Sequence, residues 1–478
     1  MGQSPSDLQA CIDLVGNGRV NFAAYPHTPF YQINWTAQDI SGVVKCAALS
    51  GFKVQAKSGG HSYGNYGLGG EDGAVAIDLV NMKKFVMDNS TWFATIGAGT
   101  LLGEVDEKLH AAGGRAFAHG VCLGVGIGGH CTIGGLGPMS RMWGACLDHI
   151  VEMEVVTADG SIVRANENKN KDLFFALRGA ASGFGIITEF VMRTHAEPQD
   201  VVSYEYNFRF GKQVDAAAMF SKWQTLMADP KLDRRFGSMF IMFPFGTVIT
   251  GTFYGTEEDF EKSGIRDYLP NKEGIKENGS LILNDYLGSM AHRAEKESLY
   301  VSNLAIPFYS KSIGFKRDEL LGPDEVKRLF DWTDKAEKGT HFWAIIFDAA
   351  GAILEDIRQD SSAFAHRDKI MFYQSYGVGL PLKQATRDFV TGFHEQVLKL
   401  AKPGTWGTYP GYVDIALSQP QRQYWDSNLA TLQRIKGVRD PNDVFHNPGS
   451  VRPPQQVLRE PGQSRDDDGP GNLDGPAQ

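Results

Sequence analysis

The chain has 478 residues, of which 42% are apolar and 22% charged, with 47 Lys+Arg against 56 Asp+Glu and a net charge of −9. That composition excludes a disordered chain, a collagen and a coiled-coil rod, and the length predicts two or three domains. No run approaches the ~18 apolar residues of a membrane span, and an acidic chain without a Lys/Arg block gains little from nucleic acid or an anionic membrane surface.

The polar start, Met1 to Asp7, has no signal-peptide pattern. It reads either as a cytosolic protein or as a mature secreted chain carrying an added initiator Met. Cys11 lies in an N-terminal helical stretch and Cys46 in a second helix around Val43, Val44, Ala47 and Leu49. The other cysteines are Cys122, Cys131 and Cys146; no CxxC pair or zinc spacing occurs, so no metal site is expected. Sequons stand at Asn34, Asn89 and Asn278.

From residue 40 to 200, β-rich runs at Lys53–Lys57, Ala74–Leu79, Phe93–Gly97, Ile150–Thr157 and Gly185–Arg193 predict strands. Leu101, Leu102, Val105 and Leu109 predict a helix over Leu101–Ala112. The strand spacing is too uneven for regular βαβ units, which predicts an α+β fold. From 201 to 411, aromatic and β-branched runs predict strands at Ser203–Phe210, Gly237–Phe243, Val248–Tyr254, Phe342–Asp348 and Lys369–Tyr376. Helices at Glu257–Tyr268, Pro323–Lys335 and Lys383–Leu400 alternate with them, so a second domain with an antiparallel sheet covered by helices is expected. A helix at Trp425–Ile435 follows, residues 412–455 return to the first domain (1–200), and the Pro/Gly/Asp-rich residues 456–478 read as a mobile tail.

Glycine is the outlier, with 55 residues, and two clusters concentrate it. The first runs from Ser58 to Gly70 after a strand, the second from Gly120 to Gly137. Such loops expose backbone N–H groups able to hold a pyrophosphate. No GxGxxG opens a helix after a first strand, which argues against a dinucleotide-binding Rossmann site. Each cluster carries one nucleophilic side chain, His61 or Cys122. Taken singly, His61 reads as a turn histidine and Cys122 as a small buried hydrophobe; together they favour a shared ligand.

Lys57-Ser-Gly-Gly-His-Ser-Tyr63 and Gly120-Val-Cys-Leu-Gly-Val-Gly-Ile-Gly-Gly-His130 resemble the paired flavin-attachment motifs of the berberine-bridge-enzyme-like flavoproteins, within the vanillyl-alcohol-oxidase and p-cresol-methylhydroxylase superfamily. Gly69-Gly-Glu-Asp-Gly73, Ala176-Leu-Arg-Gly-Ala180, Gly183-Phe-Gly-Ile-Ile187 and His366-Arg-Asp-Lys369 are similar to the fungal oligosaccharide oxidases of the glucooligosaccharide-oxidase type. The resemblance implies the two-domain fold of that superfamily, with FAD held covalently through His61 and Cys122. Ser58, Gly59, Gly60, Ser62, Gly120, Val121, Gly126, Gly128, Gly129, His130, Gly134, Gly135 and Ile187 would cradle it, His130 as a hydrogen bonder rather than a base. It further implies a Cys11–Cys46 disulfide, with Cys131 and Cys146 left as buried thiols, and secretion as a monomer.

For chemistry, the resemblance makes Tyr412, in Tyr409-Pro-Gly-Tyr412-Val-Asp414, the base, with Asp348 assisting; Gly411 replaces the usual Asn. Tyr63, Trp343 and Gln374 would face the substrate, although a Trp in an apolar strand is also a core residue. Where the glucooligosaccharide type has a substrate-binding Gln, this chain has Ile346; where it has Glu residues, Thr250 and Ile306 stand; Leu136 replaces an aromatic. These changes make the expected pocket less polar. The leading expectation is oxidation of the reducing-end C1 of a xylo-, cello- or chito-type oligosaccharide to the lactone, with O₂ reduced to H₂O₂. The alternatives are a berberine-bridge-like oxidase or dehydrogenase of a secondary-metabolite alcohol, and a flavin-holding protein without turnover.

Overall fold

The computed structural model describes residues 5–16, 30–31, 36–208, 211–268, 278–284, 286, 288–289 and 306–454. The tail expected from 456 and the Asn34 sequon lie outside them. The N-terminal half builds a small parallel sheet, in which Ala74–Asp78 pairs with Phe30–Tyr31 on one side and Lys53–Lys57 on the other. Beside it stands an antiparallel sheet of five strands, ordered Phe85–Asp88, Phe93–Gly97, Ile186–Arg193, Ile150–Val156 and Ile162–Asn166. One apolar core joins both sheets to the helices Ala37–Ser50, Leu102–Ala111 and Lys171–Ala180. Thr36 caps the first of these, its hydroxyl accepting from the Asp39 amide while Asp39 accepts in return.

The second half is one antiparallel sheet of seven strands. In spatial order they are Asn278–Asn284, Val201–Phe208, Gly246–Phe253, Phe236–Phe243, Phe342–Ala349, Met371–Val378 and Phe308–Phe315. Strand side chains alternate between faces. Phe240, Met242, Trp343, Ile345, Phe347 and Tyr373 point to one face and pack under the helices Ala217–Ala228, Pro323–Lys335 and Gln384–Leu400. Ile241, Val248, Ala344, Ile346 and Tyr376 form a separate cluster on the opposite face, joined by Tyr63 from the first glycine loop. That second face therefore looks toward the N-terminal half.

After the sheet the chain returns to the N-terminal half. The Val54 amide donates to the Val444 carbonyl at 2.8 Å. The helix Leu429–Arg439 is pinned by Lys436, which is fully buried. Its Nζ donates to Asp440 Oδ2 (2.6 Å), the Gly183 carbonyl (2.7 Å) and the Phe445 carbonyl (2.8 Å). Among the described residues no helix is long and apolar enough to cross a membrane.

Cys11 and Cys46 form a disulfide between the first two helices, with Cα atoms 5.8 Å apart. The expectation of two buried thiols at Cys131 and Cys146 is corrected: they form a second disulfide, Cα–Cα 4.9 Å. The reason lies in the glycine turn between them. Gly134 and Gly135, both with positive φ, reverse the chain so that the Cys146 amide donates to Gly135 O (2.9 Å) and Leu147 to Gly134 O (3.0 Å). Only that reversal brings the cysteines into range, and apolar surroundings alone read as packing.

Thiol counting in denaturant should therefore gain four thiols on reduction; a gain of two would leave Cys131 and Cys146 unpaired. Lys436→Met should lower unfolding free energy by about 3–5 kcal/mol, because Asp440 is left as an uncompensated buried charge. Denaturant unfolding checks this.

Candidate active site

The strand Lys53–Lys57 ends in the first glycine loop. Ser58 Oγ ties the loop to the Ala98 carbonyl at 2.6 Å, and Ser62 Oγ accepts from the Tyr66 amide at 3.1 Å. The two glycine loops touch backbone to backbone: a Cβ on Gly59 would collide with the Gly126 amide, and one on Gly126 with Ser58. Gly60 and His61 lie at the exposed surface of this junction, and a Cβ on Gly129 would meet open space. His61 hydrogen-bonds the Gly124 backbone, two residues beyond Cys122; desolvation lowers its pKa, against the opposing pull of that hydrogen bond. The imidazole is thus neutral near pH 7. Cys122 is half-buried and stands outside both disulfides.

Gly120 is held from both sides by histidines. Its N–H donates to His130 Nε2 at 2.8 Å, and its carbonyl accepts from His119 Nδ1 at 2.7 Å. His119 Nε2 meets Asp106 Oδ1 at 2.8 Å. Burial opposes charge on His119, but Asp106 and the Gly120 carbonyl outweigh it and raise its pKa. Burial, reinforced by His119, pushes His130 down to about 3. With its ring nitrogen engaged by Gly120, His130 holds the Cys122 loop rather than serving as a base. Val121 and Ile187 are buried in the packing beneath the loops, and Gly128 lies against the Ala98 carbonyl.

Asp348, Gln374 and Tyr412 come together over the free face of the large sheet. Ile346 pairs with Gln374 and Asp348 with Phe372 in the register of Phe342–Ala349 against Met371–Val378. Gln374 Nε2 donates to Asp348 Oδ2 at 2.6 Å and to the Tyr412 hydroxyl oxygen at 3.1 Å, while Tyr412 and Asp348 Oδ2 are 3.4 Å apart. Tyr376 donates to Gln374 Oε1, and its hydroxyl is 2.6 Å from that of Tyr63. The Tyr412 amide closes a turn onto the Tyr409 carbonyl (2.9 Å). A Cβ at Gly411 would run into the Tyr409 ring, which accounts for glycine at that position. Tyr409 Oη accepts from the Gly135 amide at 2.8 Å, and Asp414 forms a buried ion pair with Lys311 at 2.6 Å.

Other expected residues fall elsewhere. Trp343 is placed on the helix-covered face, its ring edge-on to Phe389 at 5.6 Å, because it is one residue out of phase with Ile346 and Asp348. The position on the Asp348 face is Ala344. Thr250 is on that face, across Met239 from Asp348, but its hydroxyl donates to the Tyr204 carbonyl at 3.1 Å. Ile306 is half-buried just before the edge strand Phe308–Phe315. Tyr376, His119 and Lys311 were not singled out from sequence. Tyr376 had a usable signal, since it lies two residues from Gln374 on one strand; Lys311 and His119 had none, because their partners are distant in the chain.

The comparisons with known proteins accord with this geometry. The FAD binding domain family matches residues 35–166 and the berberine and berberine-like family residues 408–452. The FAD-linked oxidoreductase sorD of Penicillium rubens is 37% identical over 87% of this chain and 88% of its own. The xylooligosaccharide oxidase of Thermothelomyces thermophilus is 32% identical over 87% and 86%. A structure of the glucooligosaccharide oxidase of Acremonium strictum, described as carrying a 6-S-cysteinyl, 8α-N1-histidyl FAD, superposes with a TM-score of 0.83 at 29% identity, covering 94% of this chain and 99% of that one. Two glycine loops in backbone contact, a tyrosine–carboxylate–amide cluster facing them and this breadth of similarity have one account: the chain belongs to the berberine-bridge-enzyme-like FAD-linked oxidases, as a flavoprotein oxidase similar to the fungal oligosaccharide oxidases.

Proposed function

We propose that this oxidase removes hydride from the carbinol carbon of an apolar alcohol, with Tyr412 taking the hydroxyl proton. The observation that carries the substrate class is the free face of the large sheet. Ile241, Val248, Ala344 and Ile346 are all buried there beside Asp348 and Gln374. The same face continues through Phe243 to the register row of Phe342, Val378 and Phe308, whose rings at 342 and 308 reach the surface. A sugar placed on these side chains leaves hydroxyls unmatched, at about 1–3 kcal/mol each. An apolar substrate gains roughly 25 cal/mol for each Å² it buries. This reverses the order expected from sequence, where oligosaccharide oxidation led. The second reading, oxidation of a reducing-end C1 hydroxyl, is favoured by Gln374, Tyr63 and the similarity to xylooligosaccharide oxidase.

FAD, when bound, supplies the hydride acceptor. The donor set fits it: an exposed backbone surface without side chains, a neutral imidazole at His61 and a cysteine outside the disulfides at Cys122. We read both as attachment points, in line with the doubly linked flavin described for the Acremonium enzyme. The protein's own task at the other side is proton removal. Asp348 alone would oppose a tyrosinate, since like charges repel. Gln374 offsets this by donating one N–H to Asp348 and one to the Tyr412 oxygen. The two disulfides suit an oxidising compartment, so secretion belongs to this reading.

Peroxide release measured over hydrophobic primary and secondary alcohols and over xylo-, cello- and chito-oligosaccharides tests the substrate class. Turnover confined to the alcohols is expected; turnover confined to the sugars selects the second reading. Tyr412→Phe should slow anaerobic flavin reduction by ~10²–10⁴-fold and leave reoxidation by O₂ nearly unchanged; reduction at the wild-type rate would remove Tyr412 as the base. Acid-precipitated protein should stay yellow, and one FAD mass should join the His61 and Cys122 peptides. A colourless pellet under a yellow supernatant contradicts covalent attachment.

A further inference from the structure

The base cluster has a member that neither the motif nor the mechanism uses. Tyr376 is buried on the same strand and face as Gln374, 6% exposed, within the cluster of Ile241, Val248, Ala344 and Ile346. Its hydroxyl donates to Gln374 Oε1, and Tyr63 lies 2.6 Å behind it. An amide has one accepting and one donating end. With Oε1 held by Tyr376, Nε2 is left facing Asp348 and Tyr412, and both its hydrogens are used there.

We propose that Tyr376 is a positioning residue for the base: it anchors the Gln374 amide so that one N–H stays on the Tyr412 oxygen, and Tyr63 supports it from the first glycine loop. The chain of donation runs Tyr63 to Tyr376, Tyr376 to Gln374, and Gln374 to Tyr412. It links the loop bearing His61 to the proton acceptor. Burial, with Tyr63, Tyr412 and Asp348 adding to it, holds the Tyr376 pKa well above the ordinary tyrosine value, so it remains an O–H donor throughout the working range. An N–H donated to Tyr412 favours its ionised form. Loss of the anchor lets the amide turn away, and Tyr412 becomes harder to ionise. The other groups acting on or packed against Tyr412 are Asp348 and Tyr376 from the sheet and Tyr409 from its own loop, and Asp414, two residues on, is neutralised by Lys311.

This inference rests on Tyr412 as the base but is read without turnover. In holoenzyme labelled with ¹³Cζ-tyrosine, the resonance absent from Tyr412→Phe belongs to Tyr412. In Tyr376→Phe, which keeps the ring in its apolar cluster, the Tyr412 titration should move to higher pH, by the 2- to 10-fold change in equilibrium constant that one hydrogen bond supplies. Tyr63→Phe should move it less. In a Gln374→Met background, Tyr376→Phe should add nothing, since it acts only through the amide. An unchanged Tyr412 titration in Tyr376→Phe, or an undiminished shift in the Gln374→Met background, overturns the proposal. If instead Tyr412→Phe reduces its flavin normally while these shifts appear, the anchoring stands and the assignment of the base falls.

Discussion

The arrangement depends on how the segment from Tyr409 to Asp414 is clamped. One end is fixed to the second glycine loop, where the Gly135 amide donates to the Tyr409 hydroxyl. The other is fixed to the edge of the large sheet by the buried Lys311–Asp414 ion pair. Removing two charges from water is expensive, and such a pair holds only with close geometry and further hydrogen bonds. Asp414 has them: its Oδ1 accepts from the Ala416 amide, and its own amide donates to Tyr424. Tyr412 lies between the clamps, so its phenol is located relative to the loops and the sheet at once. Two arginines hold the halves in the same relation. Arg141 donates to the Phe236 and Ala350 carbonyls, and Arg367 grips Asp148 in two parallel bonds of 2.7 Å.

Within that frame, strand alternation decides which side chains face the Tyr412 cluster. A single sheet supplies a helix-packed core on one face and the ceiling of the site on the other. Asp348, Gln374 and Tyr376 bring polar groups into the centre of that ceiling and bond mainly to one another and to Tyr412, while Ser312 and Thr250 on the same face are turned to Thr408 and to the Tyr204 carbonyl. On the side of Phe342–Ala349 and Phe236–Phe243 the side chains beside them are Ala344, Ile346 and Ile241. In the proposed reading these polar groups serve proton transfer, and the apolar part of the surface recognises the substrate.

Much of the fold was legible because strong local patterns coincide with buried elements. Lys53–Lys57, Phe93–Gly97 and Pro323–Lys335 begin and end where the sequence predicts. The strands Phe85–Asp88 and Ile162–Asn166 escaped notice because they are edge strands with partly exposed faces and little apolar alternation. The edge strand Phe308–Phe315 carries serines, a lysine and a glycine among its aromatics, which hides it equally well. In the site, His61, Cys122, Asp348, Gln374 and Tyr412 came from motifs, and the structure sets them on facing surfaces. Trp343 was lost to a one-residue phase difference, which in a strand exchanges core for cavity. Cys131 and Cys146 were missed because their pairing depends on a left-handed glycine turn. Tyr376 and Lys311 act through partners on other elements, and a single sequence does not record such contacts.

If the apolar ceiling around the Tyr412 cluster selects the substrate, as proposed, the preference resides in Ile346 and its neighbours. The most direct measurement is the ratio of kcat/KM for cinnamyl alcohol to that for xylobiose, in the wild type and in Ile346→Gln, which places an amide on the ceiling beside Gln374. The account predicts a ratio above one in the wild type that falls in the variant. A wild-type ratio below one, or a ratio indifferent to Ile346→Gln, would contradict it.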